Sequence, residues 1–177
     1  MLVLRIAVLA LAAAVLAPAQ HVFRAAAGVY SVPVPQGWKV KDTNDRGDVH
    51  LLSADNHAFF GVSYYGALDT APGAMEAYKR RLLAAVMGAS TKLVKTVNVQ
   101  VDGDPATAEI YSGIESSTKL QIVIRLVTVR TGNAGFVMMM EAATDEWNRW
   151  KADLGAMEHG LRFARMAPGG NFTPVGE

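Results

Sequence analysis

Four histidines are the side chains best suited to metal or acid–base chemistry, and their spacing argues against a metal site. They are His21, His50, His57 and His159. No two lie three or four residues apart, so none forms the paired ligands of a helical metal site. Residues 49–53 and 58–65 predict two strands joined by a turn at Asp55 and Asn56. His50 and His57 can meet across this hairpin, but two ligands do not complete a site. We predict no metal and no cofactor. His57 is kept as a candidate binding residue, the alternative being a polar residue at a strand end.

Two serine motifs resemble those of hydrolases but stand in the wrong setting. Residues 61–66 read Gly-Val-Ser-Tyr-Tyr-Gly, which misses the nucleophile-elbow spacing by one residue and lies within a predicted strand. Ser116 and Lys119 match Ser-x-x-Lys, but this serine leads into a strand and not a helix. An enzyme would therefore need polar residues that converge only in three dimensions, such as His57 with a carboxylate in a deep pocket.

Arg125 is the most unusual charged residue, because it stands in a segment with apolar residues on both faces. The segment 119–130 alternates so that each face carries Leu, Ile or Val. A charge there must reach the sheet edge or pair with a carboxylate. The candidate partners are Glu109, Glu115 and Glu141. We predict a structural role for Arg125, with a ligand-facing role as the alternative, and keep Arg125 and Glu141 as candidate binding residues.

The only basic run is Lys79, Arg80 and Arg81, within a predicted helix spanning residues 71–89. A solvated helix face is one interpretation of such a run. The other is a docking patch for an acidic partner or a lipid headgroup, so all three are candidate binding residues. The formal net charge of the chain is only +1. Such a balance creates no long-range field for nucleic acid, and we predict no nucleic-acid partner.

The chain of 177 residues contains no cysteine. This excludes a disulfide scaffold, a thiolate zinc site, a cysteine nucleophile and a lipid anchor on cysteine. A chain of this length suits a single domain with a substantial core. Packing alone must therefore hold the fold together.

The first nineteen residues read as an export signal. Arg5 precedes an uninterrupted apolar run, Ile6 to Leu16, and small residues stand at Ala17 and Ala19. The run is too short to cross a bilayer comfortably as a helix, although an uncleaved anchor is the alternative. We expect cleavage before Gln20, which removes Arg5 and balances the remaining charges. The expected location is periplasmic or secreted, with no stable membrane anchor.

The order of predicted elements is strands, helix, strands, helix. The second helix is predicted from a cap at Thr144 to Phe163, with a stripe that includes Trp147 and Trp150. We interpret this stripe as core, the alternative being an aromatic ligand cage. Residues 136–142 predict a further strand with apolar residues on both faces. Its methionines at 138–140 are likewise interpreted as core, with a pliable partner surface as the alternative. The order predicts the α+β class, a largely antiparallel sheet with helices on its faces.

Three segments resemble the PsbP-like fold family of small exported proteins, which includes PsbP-like, DcrB-like and LpqN-like members. They are the strand and Pro-x-Gly-Trp turn at 30–38, the strand–turn–strand at 97–113, and the closing Leu-x-Phe at 161–163. The resemblance implies a sheet sandwiched between helices and mostly non-catalytic roles. It carries no catalytic motif, and the lipobox cysteine of the lipoprotein members is absent.

Together these observations predict one domain at residues 20–166, followed by a flexible tail at 167–177. The predicted function is that of an exported, non-catalytic accessory or binding protein for a protein partner or small ligand. The alternative is a small hydrolase or a hydrolase-associated domain. A third possibility is a structural subunit of a larger assembly. A binding module should show an exposed apolar patch or groove.

Overall fold

The computed structural model describes residues 21–26, 28–66, 73–132, 134–166 and 172–173. The predicted export signal lies outside these residues, as does the predicted tail except for Phe172 and Thr173. No helix within the described ranges is long and apolar enough to cross a membrane.

The described elements are two helices, a short 3-10 turn and twelve strands. The helices are α1 (Ala74–Met87) and α2 (Trp147–Gly160), and the 3-10 turn is Gly88–Ser90. The strands are β1 (His21–Arg24), β2 (Tyr30–Val34), β3 (Lys39–Thr43), β4 (Val49–Leu52), β5 (Ala58–Tyr65), β6 (Lys92–Val101), β7 (Asp104–Ile114), β8 (Gln121–Thr131), β9 (Ala134–Ala143), β10 (Arg162–Phe163), β11 (Arg165–Met166) and β12 (Phe172–Thr173).

Seven of these strands form one antiparallel sheet in the order β3-β4-β5-β9-β8-β7-β6. Five of its six pairings join strands that follow one another in the chain: β3, β4 and β5 in one run, and β6, β7, β8 and β9 in the other. The pairing of β5 with β9 joins the two groups. The predicted α+β class with a largely antiparallel sheet is therefore confirmed.

The central strands β8 and β9 are buried on both faces, as their sequences predict. On one face, Met138 and Met140 of β9 join the core formed with α2 and β2. On the other, Val137 and Met139 join the core formed with α1. The methionine run is thus core on both sides of the sheet, and neither face of it is free for a partner.

The N-terminal motif anchors α2 through a pair of tryptophans. After β2, a turn places Trp38 against Trp150, with ring centroids 5.8 Å apart and nearly perpendicular planes. The indole nitrogen of Trp38 also donates to Asp153, at 2.9 Å. Edge-to-face packing of buried rings stabilises such a contact beyond its area alone. Trp150 is therefore a core residue and does not belong to a ligand cage.

The second helix is shorter than its hydrophobic periodicity predicts. It begins at Trp147 after Glu146, and no side chain caps it, so the predicted cap at Thr144 is wrong. It ends at Gly160, where a Cβ would stand 2.4 Å from a side-chain carbon of Pro33. Phe163 then pairs with Tyr30 in β2 and cannot continue the helix. The pairing of β10 with β2, which lies far away in the sequence, therefore ends the helix before its hydrophobic periodicity does.

Candidate functional site

A cleft of about 580 Å³ opens at one end of the seven-stranded sheet. Three connections that meet at this end supply its walls: the β4–β5 hairpin, the β7–β8 turn, and the link from β9 to α2. They converge because β4, β7 and β9 end where β5 and β8 begin. The lining residues are Leu52, Asn56, His57, Ala58, Phe59, Glu115, Thr118, Leu120, Ile122, Glu141, Ala142, Ala143, Asp145 and Glu146.

The β4–β5 hairpin is held by Ser53, which is fully buried. Its hydroxyl donates to Asp55 at 2.8 Å and accepts the backbone N–H groups of His57 and Ala58. Asn56 takes a positive φ of 63°, which asparagine tolerates better than most residues. This tight turn fixes the direction in which the His57 side chain leaves the hairpin.

His57 contacts Glu146 at the mouth of the cleft. Its Nδ1 lies 2.9 Å from Oε2 and 3.1 Å from Oε1 of Glu146. The hydrogen bond from His57 holds the pKa of Glu146 below its ordinary value. Arg149 reinforces this connection, with one guanidinium nitrogen 2.8 Å from Asp55 and another 3.7 Å from Glu146. These contacts tie the hairpin to the start of α2.

The β7–β8 turn is organised around Glu115. Its backbone N–H donates to the carbonyl of Leu120 at 2.9 Å. Its carboxylate accepts hydrogen bonds from the hydroxyls of Ser117 and Thr118. Neither hydroxyl carries a charge, so Glu115 keeps a net negative charge beside the cleft.

Glu141 lies near the end of β9 and is partly buried in the cleft. Its cross-strand neighbours are Phe59 on β5 and Ile124 on β8. Burial raises the pKa of the Glu141 carboxyl to about 7, and the negative charge of Glu115 adds to the increase. No described residue forms a hydrogen bond or ion pair with this carboxyl group. Near neutral pH this carboxyl is therefore partly protonated.

Two of the six candidate binding residues, His57 and Glu141, line the same cleft. Arg125 does not, because its side chain points to the other face of the sheet and contacts Glu158 on α2. Its Nε lies 2.9 Å from Oε2 of Glu158 and its NH2 lies 2.7 Å from Oε1. The predicted structural pairing is present. The predicted partners Glu109, Glu115 and Glu141 are wrong, because the partner lies on a helix and not on a neighbouring strand.

The basic run divides into one buried and two exposed residues. Lys79 lies on the buried side of α1 and pairs with Glu109 on β7 and with Glu76, the latter at 2.8 Å. Burial by itself lowers the pKa of Lys79, but its hydrogen bonds to the two carboxylates raise it above the ordinary value. Arg80 and Arg81 are exposed on α1 and lie outside the cleft. Lys79 therefore belongs neither to a solvated face nor to a docking patch.

Glu146 and Glu115 are the site residues that sequence reasoning missed. A partial signal existed for Glu146, because the sequence predicts both β9 and the β4–β5 hairpin, although it does not show that β5 and β9 are neighbours. For Glu115 the sequence offers no comparable signal, since its position depends on an irregular turn. No group of three or more described His, Asp or Glu side chains is arranged to hold a metal ion.

The cleft contains an acid–base pair but lacks a nucleophile placed for catalysis. Thr118 supplies the one hydroxyl among the described lining side chains, and it donates to Glu115. Ser63 lies within strand β5, with its hydroxyl 2.8 Å from that of Tyr78. The arrangement is suited to binding and proton exchange, whereas covalent catalysis would need a group from elsewhere.

No protein-family model matches the chain, and no curated protein matches it. Solved structures match it in shape. The Saccharomyces cerevisiae Ran-binding protein Mog1p is 11% identical, with a TM-score of 0.55, over 81% of this chain and 95% of its own. Cyanobacterial PsbP from Synechocystis is 13% identical, with a TM-score of 0.55, over 84% and 95%.

LpqN from Mycobacterium tuberculosis, described as involved in cell envelope biogenesis, is 14% identical. Its TM-score is 0.50, and the match covers 75% of this chain and 81% of LpqN. At these identities the likeness concerns the fold. The resemblance seen in the three sequence segments is confirmed at that level: the chain has the PsbP-like fold, a large antiparallel sheet with a helix on each face.

Proposed function

We propose that this protein is an exported, non-catalytic binding protein whose ligand occupies the cleft beside Glu141. The observation that carries this proposal is the cleft itself. Its volume of about 580 Å³ lies in the range of small-molecule sites, roughly 300–1,000 Å³. Its walls combine apolar side chains with a few polar groups, which is the usual composition of such sites.

The apolar part of the wall includes an exposed side chain that gains from being covered. Leu120 is 54% exposed at the cleft, and Phe59 and Ile122 line it nearby. A ligand with an apolar body that covers these side chains removes apolar surface from water. The polar groups, among them Glu141 and His57, then orient the ligand.

Two of the structural neighbours support a binding role in general. Mog1p is described as a Ran-binding protein, and LpqN as a protein involved in cell envelope biogenesis. Both are similar to this chain at low identity, so they indicate that the fold supports binding and accessory roles. They do not indicate the partner of this chain.

Binding of the neutral fluorescent probe N-phenyl-1-naphthylamine tests the proposed cleft. We expect its fluorescence to rise on binding to the purified protein. Leu120→Ser should weaken binding, because it removes apolar wall from the cleft. Leu93→Ser is the matched control, since Leu93 is 50% exposed on β6 and does not line the cleft. Equal effects of the two substitutions would count against the cleft.

Export is a separate part of the proposal and has its own test. The leader at 1–19, with its apolar run and small residues before Gln20, supports it. The domain then comprises residues 20–166 and the tail 167–177. N-terminal sequencing of the exported protein should give a chain that begins at Gln20. Recovery of the intact leader on a membrane-bound protein would support an uncleaved anchor instead.

The hydrolase alternative has one observation in its favour, the His57–Glu146 pair at the mouth of the cleft. If this pair performs acid–base catalysis, hydrolysis of p-nitrophenyl acetate should exceed the background rate. His57→Ala should then abolish the excess, while His50→Ala should not. We expect no excess over background, because no described lining hydroxyl faces His57.

A further inference from the structure

The charges around the cleft restrict the class of ligand that it accepts. Four of its fourteen described lining residues are acidic, one is His57, and none is Lys or Arg. The acidic residues are Glu115, Glu141, Asp145 and Glu146. The neighbouring Lys119 is engaged elsewhere, since its ammonium donates to the carbonyl of Ser116.

The four acidic residues are not equally available to a ligand. Glu146 is already paired with His57 and Arg149. Glu115 is occupied by two hydroxyl donors of its own turn. Glu141 is the partly buried carboxyl that no described residue binds, and its cross-strand neighbour Phe59 contributes to the same wall.

The cavity and its apolar walls are what make this a site, and the carboxylates select among possible occupants. An apolar body fits against Phe59, Leu120 and Ile122, whereas an anion would meet Glu115 and Glu141 with no Lys or Arg among the described lining residues to balance it. A positively charged nitrogen on such a body can donate to Glu141 in a partly dehydrated setting, where charged hydrogen bonds are strongest.

We propose that the ligand of the cleft is an amphipathic organic cation, with its positively charged nitrogen on Glu141 and its apolar body against Phe59, Leu120 and Ile122. This inference rests on the proposed binding function and names its ligand class. The cation is a free amine, or the side chain of a lysine in a partner protein. Both present the same chemistry to the cleft.

Three probes of matched size test the charge preference: 2-phenylethylamine, 2-phenylethanol and phenylacetate. Their affinities are measured by displacement of N-phenyl-1-naphthylamine at pH 8, where Glu141 is largely ionised. We expect the amine to bind about tenfold more tightly than the alcohol, and phenylacetate to bind most weakly. Equal affinities, or tighter binding of phenylacetate, would overturn the inference.

Glu141→Gln identifies the carboxyl responsible while keeping the shape of the side chain. It should lower the affinity for 2-phenylethylamine about tenfold relative to the affinity for 2-phenylethanol, because only the amine loses a charged partner. Asp45→Asn is the matched control, because Asp45 is exposed and lies outside the cleft. If both variants weaken amine binding equally, the effect is one of overall charge and Glu141 is not the ligand contact.

The dye separates failure of this inference from failure of the proposed function. If the dye binds in a manner sensitive to Leu120→Ser but the amine has no advantage, the cleft is a binding site for another ligand class. If neither the dye nor any of the three probes binds, the proposed function fails as well. Acetyl-Gly-Lys-Gly-amide and its norleucine counterpart distinguish a partner's lysine from a free amine. Tighter binding of the lysine peptide indicates a partner's lysine, whereas equal binding of the two peptides, with the advantage of 2-phenylethylamine retained, indicates a free amine.

Discussion

Arg125 and Glu158 form two parallel hydrogen bonds across the layer between the central strand β8 and helix α2, at 2.9 and 2.7 Å. Both side chains are largely removed from water, with 18% and 6% of their surface exposed. The planar guanidinium matches the carboxylate in this geometry, which fixes the position of the helix on the sheet. Arg125 therefore acts in the structure and not at the cleft.

Replacing Arg125 with methionine should lower the free energy of unfolding by about 3 kcal/mol, because it leaves the buried Glu158 carboxylate without its partner. Urea unfolding monitored by tryptophan fluorescence measures the loss. Arg130→Met is the control on the same strand, since Arg130 is exposed, and it should change stability by less than about 0.5 kcal/mol. The double variant Arg125→Met/Glu158→Leu should recover most of the loss. A single variant as stable as the unmodified protein would contradict the pairing.

Lys79→Met should destabilise the protein by about 2 kcal/mol, because Glu109, itself only 18% exposed, loses its ion-pair partner. Arg80→Met, one residue further along α1 and exposed, should have an effect within about 0.5 kcal/mol of zero. Thermal unfolding of the two variants side by side provides the comparison. Similar effects of both substitutions would indicate that Lys79 is solvated.

The partners of Arg125 and Lys79 could not be predicted from the sequence. The alternation of residues 119–130 predicted a central strand, and thereby a charge in need of a partner. The partner was not predictable, because Glu158 approaches through packing of a helix 33 residues away. Lys79 belongs to a run of three basic residues, and only the orientation of α1 on the sheet decides which one is buried.

The cleft was predictable only in outline. The hairpin around residues 53–58 and the two-sided strand β9 were both recognised, and His57 and Glu141 were selected as candidates. That they share one cleft follows from the antiparallel pairing of β5 with β9, from Ala58 with Ala142 to Tyr65 with Gly135. Sequence periodicity gives the faces of strands but not which strands are neighbours.

Glu141→Gln should change the pH dependence of stability. Because the folded protein raises the pKa of Glu141 from 4.5 to about 7, the folded state binds the proton more tightly than the unfolded state. Stability contributed by the protonated carboxyl is complete below about pH 4.5 and is lost as the pH rises through 7. The expected loss is about 3 kcal/mol.

Measurement of the free energy of unfolding by urea at pH 4.5 to 8 provides the test. The glutamine variant cannot ionise at this position, so it should resemble the unmodified protein at pH 4.5 and exceed it in stability at pH 8. Asp45→Asn removes one negative charge from an exposed position outside the cleft and is the control for overall charge. Parallel curves for Glu141→Gln and the unmodified protein would mean that the Glu141 carboxyl is solvated.

His57→Ala should raise the pKa of Glu146 toward its ordinary value, because the hydrogen bond from His57 is the main cause of its depression. Titration of the side-chain carboxyl carbon of Glu146 by ¹³C NMR measures the shift directly. His50→Ala is the control, since His50 lies near Asp42 and is not among the residues that line the cleft. An unchanged Glu146 titration in His57→Ala would contradict the contact.

The central claim is that ligands bind in the cleft beside Glu141, and a backbone chemical-shift map with 2-phenylethylamine tests it most directly. We predict that the largest shifts in a ¹H–¹⁵N spectrum fall on His57, Phe59, Leu120 and Glu141, and that they shrink in Glu141→Gln. Amides around Arg80 on α1 should remain unshifted. Shifts concentrated on α1 or on the edge strand β6, with none in the cleft, would contradict the account.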